Sequence, residues 1–324
     1  MGIISNRLKK MLSDLKSQKI VNIGDLYKAR KKIEEDLKTI KTPHQLGADY
    51  HPSHAVYVST QNIVSVLAEN LSILQEMDEL AKIVEKSENT YMPGYPPMSP
   101  VTKSFFTFWA FFDVRFGTDK ETIGTCLTEI GEILQLNAGT IELIKNLQSS
   151  RMGIYAHQGN DENGNVYLHD IFTHKKYTCY SSSKYPGKEG EIWFVRIAPP
   201  PFEINDQYIA ITTPYVILDT SQRDWESYFN RVLPKMEIHP PLSAYNELLK
   251  YGLIPNYWNE YVFQAYANHS DNVIYLLGIP DKPESLPHFD SDSSECIDLS
   301  QIRMKGEKKR AVKKFVKKQK KRKK

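Results

Sequence analysis

Apolar residues recur at helical spacing through the first 150 residues. Leu8, Met11, Leu12 and Leu15 share one face. A second run places Leu26, Ala29, Ile33, Leu37 and Ile40 on one side, with Arg30, Lys31, Lys32, Glu34 and Glu35 toward water. Thr42-Pro43 ends that helix, because the residue before a proline avoids the α region. A polar loop with Gly47, Asp49, His51, Pro52 and His54 follows. From Gln61 to Lys86, the positions Ile63, Val66, Leu67, Leu71, Leu74, Met77, Ala81 and Val84 predict the longest helix, about 39 Å. Pro93, Gly94, Pro96, Pro97 and Pro100 predict a rigid connector. The helix expected over 101–116 contains SFFTFWAFF, apolar on nearly every face, which predicts burial at the centre of a helical domain. Two shorter helices complete it. One follows a Thr118-Asp119 cap signal with Ile123, Leu127, Ile130 and Leu134, and one runs from Thr140 through Leu147.

At Arg151 the period changes to two. GIYAH, VYLHDI, KYTCYS, EIWFVRI and QYIAITTPYVI give five strand candidates, separated by loops rich in Gly, Asn, Asp and Pro. Such short antiparallel strands, partly apolar on both faces, suggest a small closed or half-closed barrel. Helical texture returns at Ser221 with Trp225, Tyr228 and Phe229, then over 242–249 and 258–267, and NVIYLLG at 272–278 reads as one last strand. The expected class is α+β. It comprises a helical domain over 1–150, a five-stranded antiparallel barrel-like module over 151–220, a helical closing segment with one strand over 221–285, and a disordered acidic-then-basic tail over 286–324.

Charge changes that picture more than composition does. The formal net charge of the 324 residues is +3. From Lys305 to Lys324, however, there are thirteen Lys or Arg and one acid, Glu307, a net of +12, while the rest of the chain carries −9. Just before the tail, Asp290, Asp292, Glu295 and Asp298 form an acidic stretch. Cys126, Cys179 and Cys296 are too few for a disulfide framework and form no C-x-x-C pair, which points to a reducing compartment. The charges in MGIISNRLKKMLSDLK break any secretory h-region. Asn6 stands where an N-myristoylation pattern needs Ser or Thr. The apolar run Phe105 to Phe112 is far shorter than the ~20 residues of a transmembrane helix. The expectation is a soluble cytoplasmic protein.

Residues 165–216 resemble a β-rich module found in bacterial proteins that carry a SEC-C motif. The likeness lies in VYLHDIFTHKKYTCYSSS, a strand, turn and second strand, followed by GKEGEIWFVRIAPPP. In that module a D-x-x-T-G turn precedes a glycine-led strand, whereas here the turn reads Asp170-Ile171-Phe172-Thr173-His174. The cysteine and histidine cluster that binds zinc in a SEC-C motif is missing. The resemblance covers about 50 residues; it implies a barrel and a bacterial origin, and carries over no activity.

The densest functional signal is the tail. Lys308, Lys309, Arg310, Lys313, Lys314, Lys317, Lys318, Lys320, Lys321 and Arg322 cannot be neutralised locally and would seek polyanions, releasing a counterion at each phosphate contact. Ala311, Val312, Phe315 and Val316 would share one helical face, which suits RNA, DNA or an anionic bilayer; a solubility tail or an import address has the same composition. On the barrel, Tyr155, Tyr167, Tyr177, Tyr180, Tyr185 and Trp193, with Lys175, Lys176, Lys184 and Arg196, have the residue types of a base-stacking surface, although tyrosine is also an ordinary strand residue. Asp49, His51 and His54, with His44 nearby, have the residue types of a metal site that could acidify water. His157, His169, Asp170, His174 and Cys179 contain a potential nucleophile, but His169 and Asp170 must point to opposite faces of a strand, no motif places the group, and a buried structural thiol is the better reading of Cys179. No P-loop, dinucleotide or nucleophile-elbow motif occurs. The sequence therefore predicts a non-enzymatic intracellular protein, without a cofactor, that binds nucleic acid or a ribonucleoprotein through its tail and meets a protein partner at its helical domain. The alternatives are a metal-dependent hydrolase centred on Asp49, His51 and His54, and a peripheral protein of anionic membranes.

Overall fold

The alternation that begins at Arg151 closes into a barrel. In the computed structural model, which describes residues 2–16, 33, 35–47, 50–72, 77–92, 99–201 and 206–280, five strands form the ring. They are β1 (Arg151–Asn160), β2 (Asn165–Asp170), β3 (Lys176–Ser181), β4 (Ile192–Ala198) and β5 (Tyr208–Ala210). The order β1-β2-β3-β5-β4 closes through the β1–β4 pairing. From β4 the sheet continues into β6 (Tyr215–Ile217), β8 (Val273–Leu276) and β7 (Tyr266–Ser270). Inside the ring, Tyr155, Val166, Leu168, Cys179, Trp193, Val195 and Ile197 pack as one cluster.

Two expectations about this sheet need correcting. The barrel is mixed rather than antiparallel, because β5 lies parallel to β3, with Cys179 opposite Tyr208. The single strand expected over 207–217 is two short ones. The Thr212 hydroxyl accepts the Arg196 amide at 3.0 Å, and Pro214 has no N–H to continue the ladder. The chain end also differs. The helix expected to reach Ala267 stops at Ala265, and Tyr266–Ser270 pairs with Val273–Leu276 as a hairpin around Asp271-Asn272, residues suited to turns.

Helices precede and cover the sheet. They are α1 (Ile3–Lys16), the short α2 (Pro43–Leu46), α3 (Pro52–Leu71), α4 (Asp78–Tyr91), α5 (Lys103–Phe112), α6 (Ile123–Ile130) and α7 (Ala138–Ser149). After β6 come α8 (Gln222–Val232), α9 (Pro241–Tyr251) and α10 (Tyr257–Ala265). The helix expected over 61–86 is α3 and α4. Pro52 takes the first-turn position of α3, and the Ser72 hydroxyl bonds back to the Glu69 carbonyl at 2.6 Å, competing with the helical ladder. Of the helix expected over 26–40, residues 33 and 35–40 are described; 33 and 35–39 are helical, and Ile40 is a bend. The cap of α6 is Thr122 rather than Thr118-Asp119. Asp119 instead accepts the Ile3 amide at 2.7 Å, and buried Glu121 accepts the Ile4 and Ser5 amides at 2.8 and 3.0 Å, so two carboxylates hold the positive end of α1. No helix among the described residues is long and apolar enough to cross a membrane.

β4 explains how the layers join. Every one of its residues is buried. One face, Trp193, Val195 and Ile197, fills the barrel. The other presents Phe194 and Arg196 to the helices. Phe194 lies among Phe105 of α5, Tyr215 of β6, and Trp258 and Tyr261 of α10. The aromatic helix is thus packed against a sheet as well as helices. Arg196 reaches Asp113, just beyond α5, through Nη2, and donates from Nη1 to the Ser150 carbonyl at 3.0 Å. The other Asp113 oxygen lies 3.2 Å from the ammonium of Lys250 on α9. That ammonium also donates to the carbonyls of Gln148 and Ser150, capping the C-terminal end of α7. Burial pushes Lys250 down to about 8, with Asp113 pulling it up and Arg196 lowering it further.

Asp113→Asn would leave two buried cations facing a neutral amide. The expected cost is about 3–5 kcal/mol, read as a lower urea midpoint at unchanged slope. A midpoint within error of the parent would show that these charges do not hold the layers together.

Candidate functional site

The sequence-predicted binding residues divide sharply by position. Lys308, Lys309, Arg310, Lys313, Lys314, Lys317, Lys318, Lys320, Lys321 and Arg322 lie outside the described residues, as do Asp49 and Cys296. The remaining candidates lie on the folded part, where most are built into its packing.

The polar loop before α3 is shorter than expected. His51 is the residue before the helix and Pro52 its first, so His54 already sits in the first turn. The His51 ring stacks on Tyr180 of β3 at 4.3 Å, and its buried Nδ1 has no hydrogen-bond partner among the described residues. The His54 ring meets Tyr50 edge-on at 5.0 Å. Burial, then the proximity of His51, pushes His54 down to about 4. Burial also lowers His51. His44 belongs to α2. Among the described residues no three His, Cys, Asp or Glu side chains converge as metal ligands.

Three residues of the expected base-stacking surface are interior, three are half-buried, and Tyr167, Lys175, Lys176 and Lys184 are exposed. Tyr155, Trp193 and Arg196 are buried. Trp193 Nε1 and the Tyr185 hydroxyl each donate to Glu191 at 2.9 Å. His157 Nδ1 accepts the Gly159 amide at 3.1 Å, so its Nε2 carries the proton and donates to the Pro186 carbonyl at 2.9 Å. Cys179 lies within the barrel cluster, where burial drives its thiol far above the ordinary range. Asp170 is fully buried. It pairs with Arg151 at 3.4 Å and accepts the Tyr245 hydroxyl at 3.0 Å and the amides of Phe172 and Thr173 at 3.1 and 2.9 Å. A nucleophilic Cys179 assisted by these groups has no support in this geometry.

What remains at the surface is concentrated on β2, β3 and their turn. In the Asp170–His174 turn, His174 has φ +57°, a left-handed conformation that glycine adopts most readily. That bend brings the His174 ring parallel to His169, 5.5 Å away at 24°. Lys175, Lys176 and Thr178 are exposed. Lys175 donates to the Tyr208 hydroxyl at 3.3 Å and lies over the rings of Tyr177 and Tyr208, at 4.9 and 5.4 Å. Tyr167 is 37% exposed and donates to Asp161 at 3.1 Å. The histidine pairing was not visible in sequence, since nothing marks a histidine for a left-handed turn.

Two outcomes follow from this burial. Native protein treated at pH 8 with a thiol reagent should leave Cys126 and Cys179 unlabelled by peptide mass spectrometry, with both labelled in guanidinium; burial pushes Cys126 up to about 12. Labelling of Cys179 in the native state would contradict the closed barrel. The folded-state pKa of His54 lies below its unfolded value near 6.5, so the unfolded chain takes up the proton first. Stability should therefore fall as pH drops from about 6.5 toward 4, and His54→Phe should flatten that part of the urea-midpoint profile.

Compared with protein-family models, curated proteins and solved structures, the chain matches none.

Proposed function

We propose that this chain is a non-enzymatic intracellular protein that holds nucleic acid or a ribonucleoprotein through the basic segment from Lys305 to Lys324. The observation that supports this is the separation of charge: +12 in twenty residues beside −9 on the remainder. An acidic body repels a polyanion, so favourable contact is confined to places where cations are concentrated. Lys308, Lys313, Lys317 and their neighbours supply enough charge for several phosphate contacts. With about 6–10 such contacts, affinity would fall by ~10³–10⁵ between 50 and 200 mM salt. The acidic stretch Asp290 to Asp298, next to the tail, would compete with the phosphates and weaken indiscriminate binding. Cys179, the candidate nucleophile, is enclosed in the barrel cluster, which speaks against a thiol-based reaction there.

Ending the chain at Met304 tests the reading. Binding to labelled RNA and DNA at 50 mM salt should be lost, with the thermal midpoint of the remainder unchanged. If the shortened protein binds as the full chain does, the tail is not the binding element. If the full chain ignores nucleic acid but floats with phosphatidylserine vesicles, the target is a membrane surface instead.

A further inference from the structure

The turn end of the β2–β3 hairpin brings cations and ring faces together on the surface of a body that is acidic overall. His169 lies directly opposite Lys176 in the ladder, both on the outer face, while Leu168 and Asp170 on the same strand point inward. The left-handed bend at His174 adds a second imidazole parallel to the first. Lys175 uses one of its three ammonium donors on Tyr208 and is steadied by two tyrosine rings, which leaves further donors toward solvent. The acid nearest in sequence, Asp170, is fully buried and held by Arg151, Tyr245 and two amides, so it is committed inward. Asp161 is engaged with Asn165 and Tyr167, toward the other end of the hairpin.

We infer that this hairpin end is a second contact for single-stranded nucleic acid, used together with the basic tail. Lys175 and Lys176 would take two phosphates, and the His169, His174 and Tyr208 rings would offer faces to unpaired bases. Cations interleaved with exposed rings are the general arrangement for holding a single strand without reading its sequence. A duplex keeps its base faces stacked inside and would gain from the lysines alone. This inference rests on the reading of the tail as a nucleic-acid-binding element.

The test uses the full chain, with Lys175→Glu and Lys176→Glu combined, against labelled poly-U and an RNA duplex of equal length. Both lysines are exposed, so an unchanged thermal midpoint is expected and serves as the folding control. Poly-U affinity should weaken about tenfold at 100 mM salt, and the log–log salt slope should flatten by about 1.4, the value for two lost single-strand phosphate contacts. A separate ring variant, His169→Ala with His174→Gly, removes two ring faces and no lysine, and should weaken poly-U binding while leaving duplex binding unchanged. If the double variant binds poly-U as the parent does while the chain ended at Met304 does not bind, the hairpin contact is wrong and the tail reading stands. If the chain ended at Met304 keeps full affinity, the tail reading itself fails. Equal effects of the ring variant on poly-U and duplex would overturn the preference for single strands.

Discussion

The carboxylate of Asp113 is the point at which the layers of this fold meet. It follows the aromatic helix α5, takes Arg196 from the most buried strand of the sheet, and faces Lys250 from α9. Through Lys250 and Arg196 the same group reaches the carbonyls that end α7. Desolvating these charges is expensive, and the attraction returns that cost only when every partner is present. Apolar packing alone would tolerate sliding between a sheet and the helices on it, whereas a three-way charge contact accepts one arrangement. Arg196 can occupy a strand interior because β4 alternates: its barrel side is wholly apolar, and the arginine falls on the side the helices cover.

The strands were legible because alternation survives burial when one face is more apolar than the other. β1 to β4 begin within a few residues of their expected starts, and the helices carrying Phe105, Leu127, Leu147 and Trp225 are present. Failures of the reading have local causes. Thr212 and Pro214 divide one apolar run into two strands that serve different parts of the sheet. Tyr266–Ser270 is mostly exposed and carries no alternation, so only its partner across the hairpin identifies it as a strand. Asp113 and Arg196 are 83 residues apart, and Glu121 serves a helix end 116 residues away. No spacing rule within a short window connects such pairs.

The candidate site was legible to a different degree. The tail is visible from composition alone, because thirteen cations in twenty residues need no fold to be recognised. The barrel aromatics were visible as residue types but not as a surface. A small barrel must fill its interior with large side chains, and tyrosine and tryptophan do so when their polar ends find partners, as Trp193 and Tyr185 do at Glu191. The same residues therefore signal packing and stacking with equal force, and burial decides between them. Sequence placed His169 and Asp170 on opposite faces correctly from the strand period, yet could not pair His169 with His174, which depends on one backbone angle.

Part of the body's charge, of both signs, is used internally. Arg115, Arg151, Arg196 and Lys250 are engaged within the fold, against Glu247, Asp170 and Asp113. Counting buried Glu121 and Glu260 as well, four cations and five acids are taken up inside, so the body keeps a negative excess at its surface. For an approaching polyanion that excess is a barrier over most directions, and it lowers the chance of unspecific contact with the fold. Cations that remain exposed, such as Lys175 and Lys176, act against a repulsive background, so their position matters more than their number. Cations are concentrated at the chain end while the remainder is acidic, so the charge that a polyanion would meet depends on which part of the chain it approaches.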